Sequence, residues 1–496
     1  MHPRIGAHDT VADFLAHLRS LGAELPVDAA PLSAADGSPL AQPLIVHGRV
    51  LPNRWCIHPM EGWDGEADGT PSEHTRRRWR HFGESGAALL WGGEAFAVRA
   101  DGRANPRQLF RHSENLQPMA RLLDEVQQGR ADVGADGDVL VGLQLTHSGR
   151  FCKPQENHRF EPRIAYHHPL LDARVGVSAT DDGPLFQDHE LPQLVADYVD
   201  AAKLAMRAGF DFVDVKACHG YLLHEFLSAF SRPGQYGGDF AGRTRLLKEI
   251  IAAIRTECPG LEIGVRMSVF DQPAWTPDPT LTTARKKGPG IVERWTGERY
   301  PAFGASANDP LAIDLDEPIR LLTELRDEYR VRLFNLTAGS PYYNPHLQRP
   351  AAYPPSDGYQ PPEDPLLGCV RQFQAVRDVK LAVPDAVIVG TAYTYLQEFL
   401  PHVAQGVVRQ GWADAVGLGR LVLSDWRFPI KVLRGEDYRA DRKLCRTFSD
   451  CTTAPRNGLV SGCYPLDEAY KGLPEAAELK RLKGGRVGTS QAAGAD

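Results

Sequence analysis

The sequence predicts an α/β fold: a (β/α)8 TIM barrel with an N-terminal extension, a long insertion after its fifth strand and a C-terminal tail. Short apolar runs alternate along the chain with segments whose apolar residues recur at helical spacing, which is the pattern of βα units around a parallel sheet. Eight such runs can be counted, and glycine, charged or polar residues follow most of them. Eight strands in this alternation fit a closed barrel better than an open sheet, and the residues after them would gather at one mouth.

The eight strands are predicted at Arg54–Pro59, Ala87–Trp91, Val139–Leu145, Phe210–Lys216, Glu262–Met267, Val331–Thr337, Ala386–Val389 and Ala415–Leu418. Helices are predicted between them at Ser72–Glu84, Pro192–Ala208, Arg243–Thr256 and Glu317–Tyr329. The fourth strand, which contains Phe212, Val213 and Val215, is apolar almost throughout, as a strand buried on both faces of a parallel sheet requires.

The barrel is predicted to occupy residues 43–440. Residues 1–42 precede it as an extension, with a short amphipathic helix because apolar residues recur at helical spacing from Val11 to Leu18. The connection at 270–316 is rich in proline and too long for a simple loop, so we expect it to form a lid over the mouth. Residues 441–496 are the C-terminal tail.

The composition is that of a soluble globular protein, with 496 residues, 42% of them hydrophobic and 24% charged. The formal charge of −7 is spread without runs, so a nucleic-acid partner is not expected. No apolar stretch approaches the ~20 residues that cross a bilayer. The N-terminus lacks the basic region followed by an apolar core that is typical of a signal peptide. We therefore expect a cytoplasmic protein that acts on a small molecule and has no membrane partner. The sequence does not decide whether it forms a homo-oligomer.

Three chemically active residues, Lys216, His219 and Tyr221, follow the fourth strand closely. The segment resembles the Old Yellow Enzyme family of NAD(P)H:flavin oxidoreductases, through the run HGYLLHEFLS followed by YGG and then RTR. The resemblance implies that His219 is the second of two side chains that grip a substrate carbonyl oxygen. It also implies that Tyr221 gives a proton to the neighbouring carbon. Lys216 stands where the first histidine is usual, which departs from the family.

The resemblance also implies that the ends of other strands hold FMN. Pro59 and Met60 match a segment that passes beside the flavin ring. Glu61 follows them, where the family often places a residue that tunes the flavin, and a carboxylate there needs a raised pKa or a cation on the substrate. Gly93 lets backbone approach a planar ring. Gln144 offers the donor and the acceptor that the pyrimidine edge of the flavin requires.

The remaining cofactor residues are basic side chains and glycines. Arg266 interrupts the apolar fifth strand, where an unpaired guanidinium is costly. It either pairs with a carboxylate such as Asp214 or, as the resemblance implies, faces the flavin N1–C2=O edge. Gly390 and Gly419 close the last two strands, so both loops can present backbone N–H groups, and Arg420 adds a cationic fork. Many barrels bind phosphate there, and beside the other residues this predicts the phosphate of FMN.

The C-terminal tail carries three cysteines, Cys445, Cys451 and Cys463. Their position resembles the family branch of trimethylamine dehydrogenase and dienoyl-CoA reductase, in which four cysteines hold a 4Fe–4S cluster. Phe448 occupies the place of the expected second cysteine, so one of the usual four thiolates is missing. We therefore expect a relic of the motif and no metal site.

Together these residues favour an FMN-dependent oxidoreductase that passes a hydride from NAD(P)H to an organic acceptor such as an activated alkene. Two alternatives stay open. One is a flavin-dependent dehydrogenase or demethylase of an amine or a saturated ring, with Glu61 receiving the cation. The other belongs to a different class: a flavin-free lyase or isomerase on the same barrel, with Lys216 as Schiff-base former or general base.

Overall fold

Eight parallel strands close into a barrel. The computed structural model describes residues 2–284, 286–297 and 299–484. Its strands are β1 Leu44–Val46, β2 Arg49–Leu51, β3 Trp55–Ile57, β4 Leu89–Leu90, β5 Ala95–Ala97, β6 Leu140–Thr146, β7 Phe212–Val215, β8 Glu262–Phe270, β9 Trp275–Pro277, β10 Gly290–Val292, β11 Leu333–Ala338, β12 Val387–Gly390 and β13 Ala415–Leu418. Around the barrel the order is β3, β4, β6, β7, β8, β11, β12, β13, and β13 pairs back onto β3. The predicted fold is confirmed, and each predicted strand contains or overlaps one of these eight.

The second barrel strand is interrupted, because β4 and β5 both pair with β6. The chain between them turns at Gly92 and Gly93, whose φ angles are +133° and +48°. A Cβ atom on Gly93 would lie 2.3 Å from the ring of Trp79, and one on Gly92 would lie 2.8 Å from the backbone nitrogen of Gln144. Packing and backbone conformation thus require glycine at both positions. The approach of Gly93 to a flavin ring stays a prediction.

Helices cover the outside of the barrel and its ends. They are α1 Val11–Ser20, α2 Glu73–Glu84, α3 Leu116–Asp132, α4 Leu191–Ala208, α5 Leu222–Leu227, α6 Phe240–Glu257, α7 Asp316–Asp327, α8 Pro345–Gln348, α9 Pro365–Ala382, α10 Leu400–Arg409, α11 Leu421–Ser424, α12 Phe428–Arg434, α13 Asp450–Arg456, α14 Glu468–Lys471 and α15 Glu475–Gly484. The predicted helices correspond to α2, α4, α6 and α7. α6 begins before its predicted start because the Asp239 carboxylate accepts a hydrogen bond from the Gly242 N–H at 2.8 Å and caps the helix.

The N-terminal segment packs against the barrel. Its predicted amphipathic helix is α1, and Phe14 on that helix stacks on Phe399 with ring centroids 4.6 Å apart. His17 is buried and contacts the Asp364 carboxylate at 3.0 Å. The segment therefore shares the main apolar core of the protein.

The insertion at 270–316 carries a two-stranded hairpin of β9 and β10. The Trp275 N–H donates to the Tyr343 carbonyl at 2.9 Å, which ties the hairpin to the loop after β11. The C-terminal helices form their own small apolar cluster around Tyr464 and Tyr470. Over the described part of the chain, no helix is long and apolar enough to cross a membrane.

Candidate active site

A cavity of about 180 Å³ lies where the carboxyl ends of the barrel strands meet. Most of the predicted site residues line it: Pro59, Glu61, Gln144, Lys216, His219, Tyr221 and Arg266. A second cavity of about 110 Å³ adjoins it, lined in part by Met60 and Arg420. Glu61 and Arg349 line both cavities. The barrel thus brings together residues that are up to 361 positions apart, from Pro59 to Arg420.

Lys216 and Tyr221 lie against each other after β7. The Nζ atom of Lys216 is 4.0 Å from the centroid of the Tyr221 ring. Burial lowers the pKa of Lys216, while nearby Cys218 and Glu61 act in the opposite direction. The Tyr221 hydroxyl is 3.0 Å from the hydroxyl of Tyr342. Burial also raises the pKa of Tyr221 well above its usual value, so this phenol keeps its proton at neutral pH.

His219 is held in an unusual backbone conformation at the mouth. Its φ is +66°, which is rare for a residue other than glycine, and its backbone N–H donates to the Ser268 hydroxyl at 3.1 Å. The Nε2 atom lies 3.3 Å from both the Thr337 hydroxyl and the side-chain amide nitrogen of Gln348. Burial, and then the charge of Arg266, lower the pKa of His219 well below its ordinary value. The ring is therefore neutral and fixed in position.

Glu61 is the one carboxylate among the residues described around the main cavity. Its Oε1 atom accepts a hydrogen bond from the Asn105 side chain at 3.1 Å. Burial raises the pKa of Glu61 to about 7, against the opposing influence of Lys216. Glu61 therefore changes charge close to neutral pH. A raised pKa is the first of the two conditions, the other being a cation on the substrate, under which a carboxylate can lie beside a flavin.

Arg266 and Gln144 meet at Asp214, but not in the ion pair that was one of the two interpretations. The Asp214 carboxylate accepts from the Gln144 side-chain amide at 2.6 Å and from the backbone N–H of Arg266 at 2.7 Å. In the described ranges, no carboxylate lies within 4.0 Å of the Arg266 guanidinium, and its Nε atom is buried without a hydrogen-bond partner. The interpretation as a direct ion pair is therefore wrong, although the charges of Arg266 and Asp214 still act on each other, and the Arg266 side chain lines the cavity.

The loops after β12 and β13 lie beside the second cavity. A Cβ atom on Gly390 would lie 2.9 Å from the Tyr393 hydroxyl, and one on Gly419 would lie 3.3 Å from the sulfur of Met60. Arg420 donates from Nη2 to a backbone carbonyl at 2.9 Å, whereas its Nη1 is buried without a partner among the described atoms. Buried cationic donors on Arg266 and Arg420 thus lack acceptors among the described atoms. FMN fits this set, because its carbonyl-bearing ring edge and its phosphate would supply both acceptors.

The outer walls of the main cavity were not predicted from the sequence. They come from the loop after β11, with Tyr342 and Arg349, and from α13, with Thr452 and Arg456. The described residues of the insertion at 270–316 contribute none of the lining, so its role as a lid stays a prediction. The polar and aromatic run SPYYNPHLQR after β11 was a usable signal, because it follows a strand end. The contribution of α13 depends on long-range packing.

The three tail cysteines have free thiols, and Cys451 lines both cavities. Phe448 contacts the ring of Tyr353, with centroids 5.4 Å apart. Of the residues that the structure describes, no three His, Cys, Asp or Glu side chains form a group that could hold a metal ion. Phe448 has no ligand atom, so the tail offers three thiols where a 4Fe–4S cluster normally takes four, and the absence of a cluster stays a prediction.

We expect iron and acid-labile sulfide assays on anaerobically purified protein to find well under one iron per chain. The reason is that Phe448 offers no ligand atom where the related motif has a thiolate. The same preparation after reconstitution with iron and sulfide is the control. Near four irons per chain in either sample would mean that another side chain replaces the missing cysteine.

Known proteins resemble this chain in sequence and in fold. Residues 39–285 match the model of the NADH:flavin oxidoreductase / NADH oxidase family. An NADH:flavin oxidoreductase from Gibberella zeae is 27% identical over 316 residues, which cover 56% of this chain and 72% of the relative. An NADPH dehydrogenase from Bacillus subtilis is 31% identical over 238 residues, which cover 47% of this chain and 64% of the relative.

In three dimensions the barrel resembles an old yellow enzyme homologue from Zymomonas mobilis. The TM-score is 0.52 at 20% sequence identity, and the match covers 79% of this chain and 91% of that one. At this identity the likeness concerns the fold. The sequence match carries the family assignment: through its residues 39–285, the chain belongs to the NADH:flavin oxidoreductase / NADH oxidase family.

Proposed function

We propose that this protein is an FMN-dependent oxidoreductase that passes a hydride from NAD(P)H to an organic acceptor such as an activated alkene. The observation that carries the proposal is the pair of buried cationic donors without acceptors, Arg266 Nε and Arg420 Nη1. Buried charged groups are normally paired, so a site with such unpaired donors favours an anionic ligand that spans both cavities.

The residues that would hold FMN divide by the part of the ligand they suit. Gln144 keeps one amide proton and its amide oxygen free for the pyrimidine edge, since Asp214 takes only one proton. Arg266 would place its positive charge at the same edge. Arg420 and the N–H groups of the last two barrel loops suit a phosphate. When bound, FMN supplies the centre that accepts and returns a hydride.

The substrate would lie between His219, Lys216 and Tyr221. A neutral His219 and the Lys216 ammonium can both donate hydrogen bonds to a carbonyl oxygen, which polarises a conjugated alkene. Tyr221 keeps its proton and can give it to the carbon beside that carbonyl. The phenolate left behind would be stabilised by Lys216, whose Nζ is 4.0 Å from the ring centroid.

We expect the purified protein to be yellow and to release FMN, and not FAD, when it is denatured. The reason is the combined set of Gln144, Arg266 and Arg420, which suits the pyrimidine edge of a flavin and one phosphate. Absorbance of the native protein and chromatography of the released cofactor are the measurements. A sample incubated with FMN and desalted controls for loss of cofactor during purification.

A protein that stays colourless after incubation with FMN would contradict the proposal. It would favour the flavin-free lyase or isomerase, because the lowered pKa of Lys216, caused mainly by burial, increases the fraction of its amine in the uncharged, nucleophilic form. Reduction with borohydride in the presence of a carbonyl substrate would then trap an adduct on Lys216.

A further inference from the structure

The lining of the main cavity is strongly cationic. Beside Glu61 it carries Lys216, Arg266, Arg349 and Arg456. The Arg456 guanidinium is neutralised by Asp357, with two N–O distances of 2.8 Å. In the proposed function, Arg266 serves the flavin. Arg349 is then a cation at the mouth of the barrel for which neither a protein carboxylate nor the proposed flavin ring supplies a partner.

Arg349 is held in place but left electrically unpaired. Its Nη1 donates to the Thr452 hydroxyl at 2.6 Å, which joins the loop after β11 to α13. Its Nη2 is buried and has no hydrogen-bond partner, and within the described ranges no carboxylate lies within 4.0 Å of it. Burial and the neighbouring charges of Arg456 and Arg420 lower the pKa of Arg349 to about 9, so it remains charged at neutral pH.

A guanidinium that is fixed through one nitrogen and unpaired at the next is suited to bind an oxyanion. Its fork matches the two oxygens of a carboxylate, and such charge-assisted bonds are stronger in a site that excludes water. Lys216 adds a second positive charge on the same cavity, and Glu61, with a pKa raised by burial to about 7, offers little opposing charge below neutral pH. The site therefore favours an anionic acceptor over a neutral one.

We propose that Arg349, positioned by Thr452, binds a carboxylate of the substrate, so the acceptors of this enzyme are unsaturated carboxylic acids. That the bound carboxylic acid accepts a hydride rests on the proposed function. The anion site itself does not. The oxyanion that Arg349 binds could instead be the phosphate of FMN, because Arg349 also lines the second cavity beside Arg420. The two sources predict different behaviour when the charge of Arg349 is removed.

The test compares cinnamate with cinnamamide, which has the same shape and no charge. Each is titrated into the purified protein without NAD(P)H, so that no turnover occurs. Binding is read from the flavin absorbance and from tryptophan fluorescence, since Trp63 lines the cavity. We expect wild type to bind cinnamate ~10–100-fold more tightly, the range for hydrogen bonds to charged groups. Arg349→Met should remove this preference and leave cinnamamide binding and FMN content unchanged.

Three further variants sharpen the result. Arg349→Lys should keep part of the preference, and Thr452→Val should weaken it by loosening the guanidinium. Arg371→Met removes a surface arginine that pairs with Glu363 and should change nothing. Equal affinity of wild type for both ligands, or an undiminished preference in Arg349→Met, would overturn the proposal. Loss of FMN from Arg349→Met with the cinnamate preference intact would assign the residue to the phosphate.

Failure of the proposed function gives a different pattern. A protein that neither holds FMN nor is coloured can still be titrated through tryptophan fluorescence, and a preference for cinnamate that depends on Arg349 would still establish the anion site. An absent preference in a yellow, NAD(P)H-reducible protein overturns the carboxylate site alone.

Discussion

In a Tyr221→Phe variant, we expect NAD(P)H to bleach the flavin at nearly the wild-type rate, while reoxidation by an activated alkene slows ~10²–10⁴-fold. Phenylalanine keeps the ring that contacts Lys216 and removes only the proton that Tyr221 would give to the substrate carbon. Flavin reduction needs no such proton. Burial raises the pKa of Tyr221, so the hydroxyl is protonated throughout the neutral range. Rapid mixing of each half-reaction measures the two rates separately.

Tyr342→Phe is the matched control, because it removes a second hydroxyl of the same cavity, 3.0 Å from that of Tyr221, and leaves the proposed proton donor in place. Losing one neutral hydrogen bond costs about 1 kcal/mol, so reoxidation should slow by less than ~10-fold. Equal slowing of both half-reactions in Tyr221→Phe would indicate a packing role. Unchanged reoxidation would mean that another group supplies the proton.

The barrel could be predicted because its strands are local features. An apolar run such as Ala415–Leu418 is buried on both faces wherever the sheet is parallel, and the structure has that strand at the predicted bounds. The second strand was predicted over Ala87–Trp91 but pairs only at Leu89–Leu90. Apolar character predicts that the segment is buried, but the turn at Gly92 and Gly93 interrupts the strand. Where hydrogen bonding stops depends on that backbone turn, which hydrophobic pattern does not encode.

The residues at the strand ends, which form the floor of the candidate site, could also be predicted from the sequence. The residues that form its outer walls could not. Side chains at strand ends converge in any closed barrel, so Gln144 and Lys216 could be assigned to one mouth without knowing their contacts. The contact of Arg349 with Thr452 joins residues 103 positions apart, one in the loop after β11 and the other on α13. Nothing local in either segment predicts that pairing. The role of Asp214 was likewise hidden, because its partners are one side chain and one backbone N–H on neighbouring strands.

Arg266→Met should weaken FMN binding and slow flavin bleaching by NAD(P)H ~10²–10³-fold, the usual cost of losing one preorganised donor at a developing negative charge. The FMN-free variant should be at least as stable as FMN-free wild type. The guanidinium is buried and its Nε atom has no hydrogen-bond partner among the described atoms, so a methionine of similar length removes a buried charge that lacks a direct ion pair. Thermal unfolding of both apo-proteins measures this.

Arg150→Met provides the contrast, since Arg150 is equally buried but forms ion pairs with Asp172 and Glu225. Its loss leaves the buried Glu225 carboxylate without its ion-pair partner and Asp172 with only His167, at 2.7 Å. Breaking a buried pair in this way typically costs ~3–5 kcal/mol and should lower the unfolding temperature. The two arginines thus separate a charge that stabilises the fold from one kept for a ligand. If Arg266→Met destabilises the apo-protein as much as Arg150→Met does, Arg266 has a structural partner and its assignment to the flavin fails.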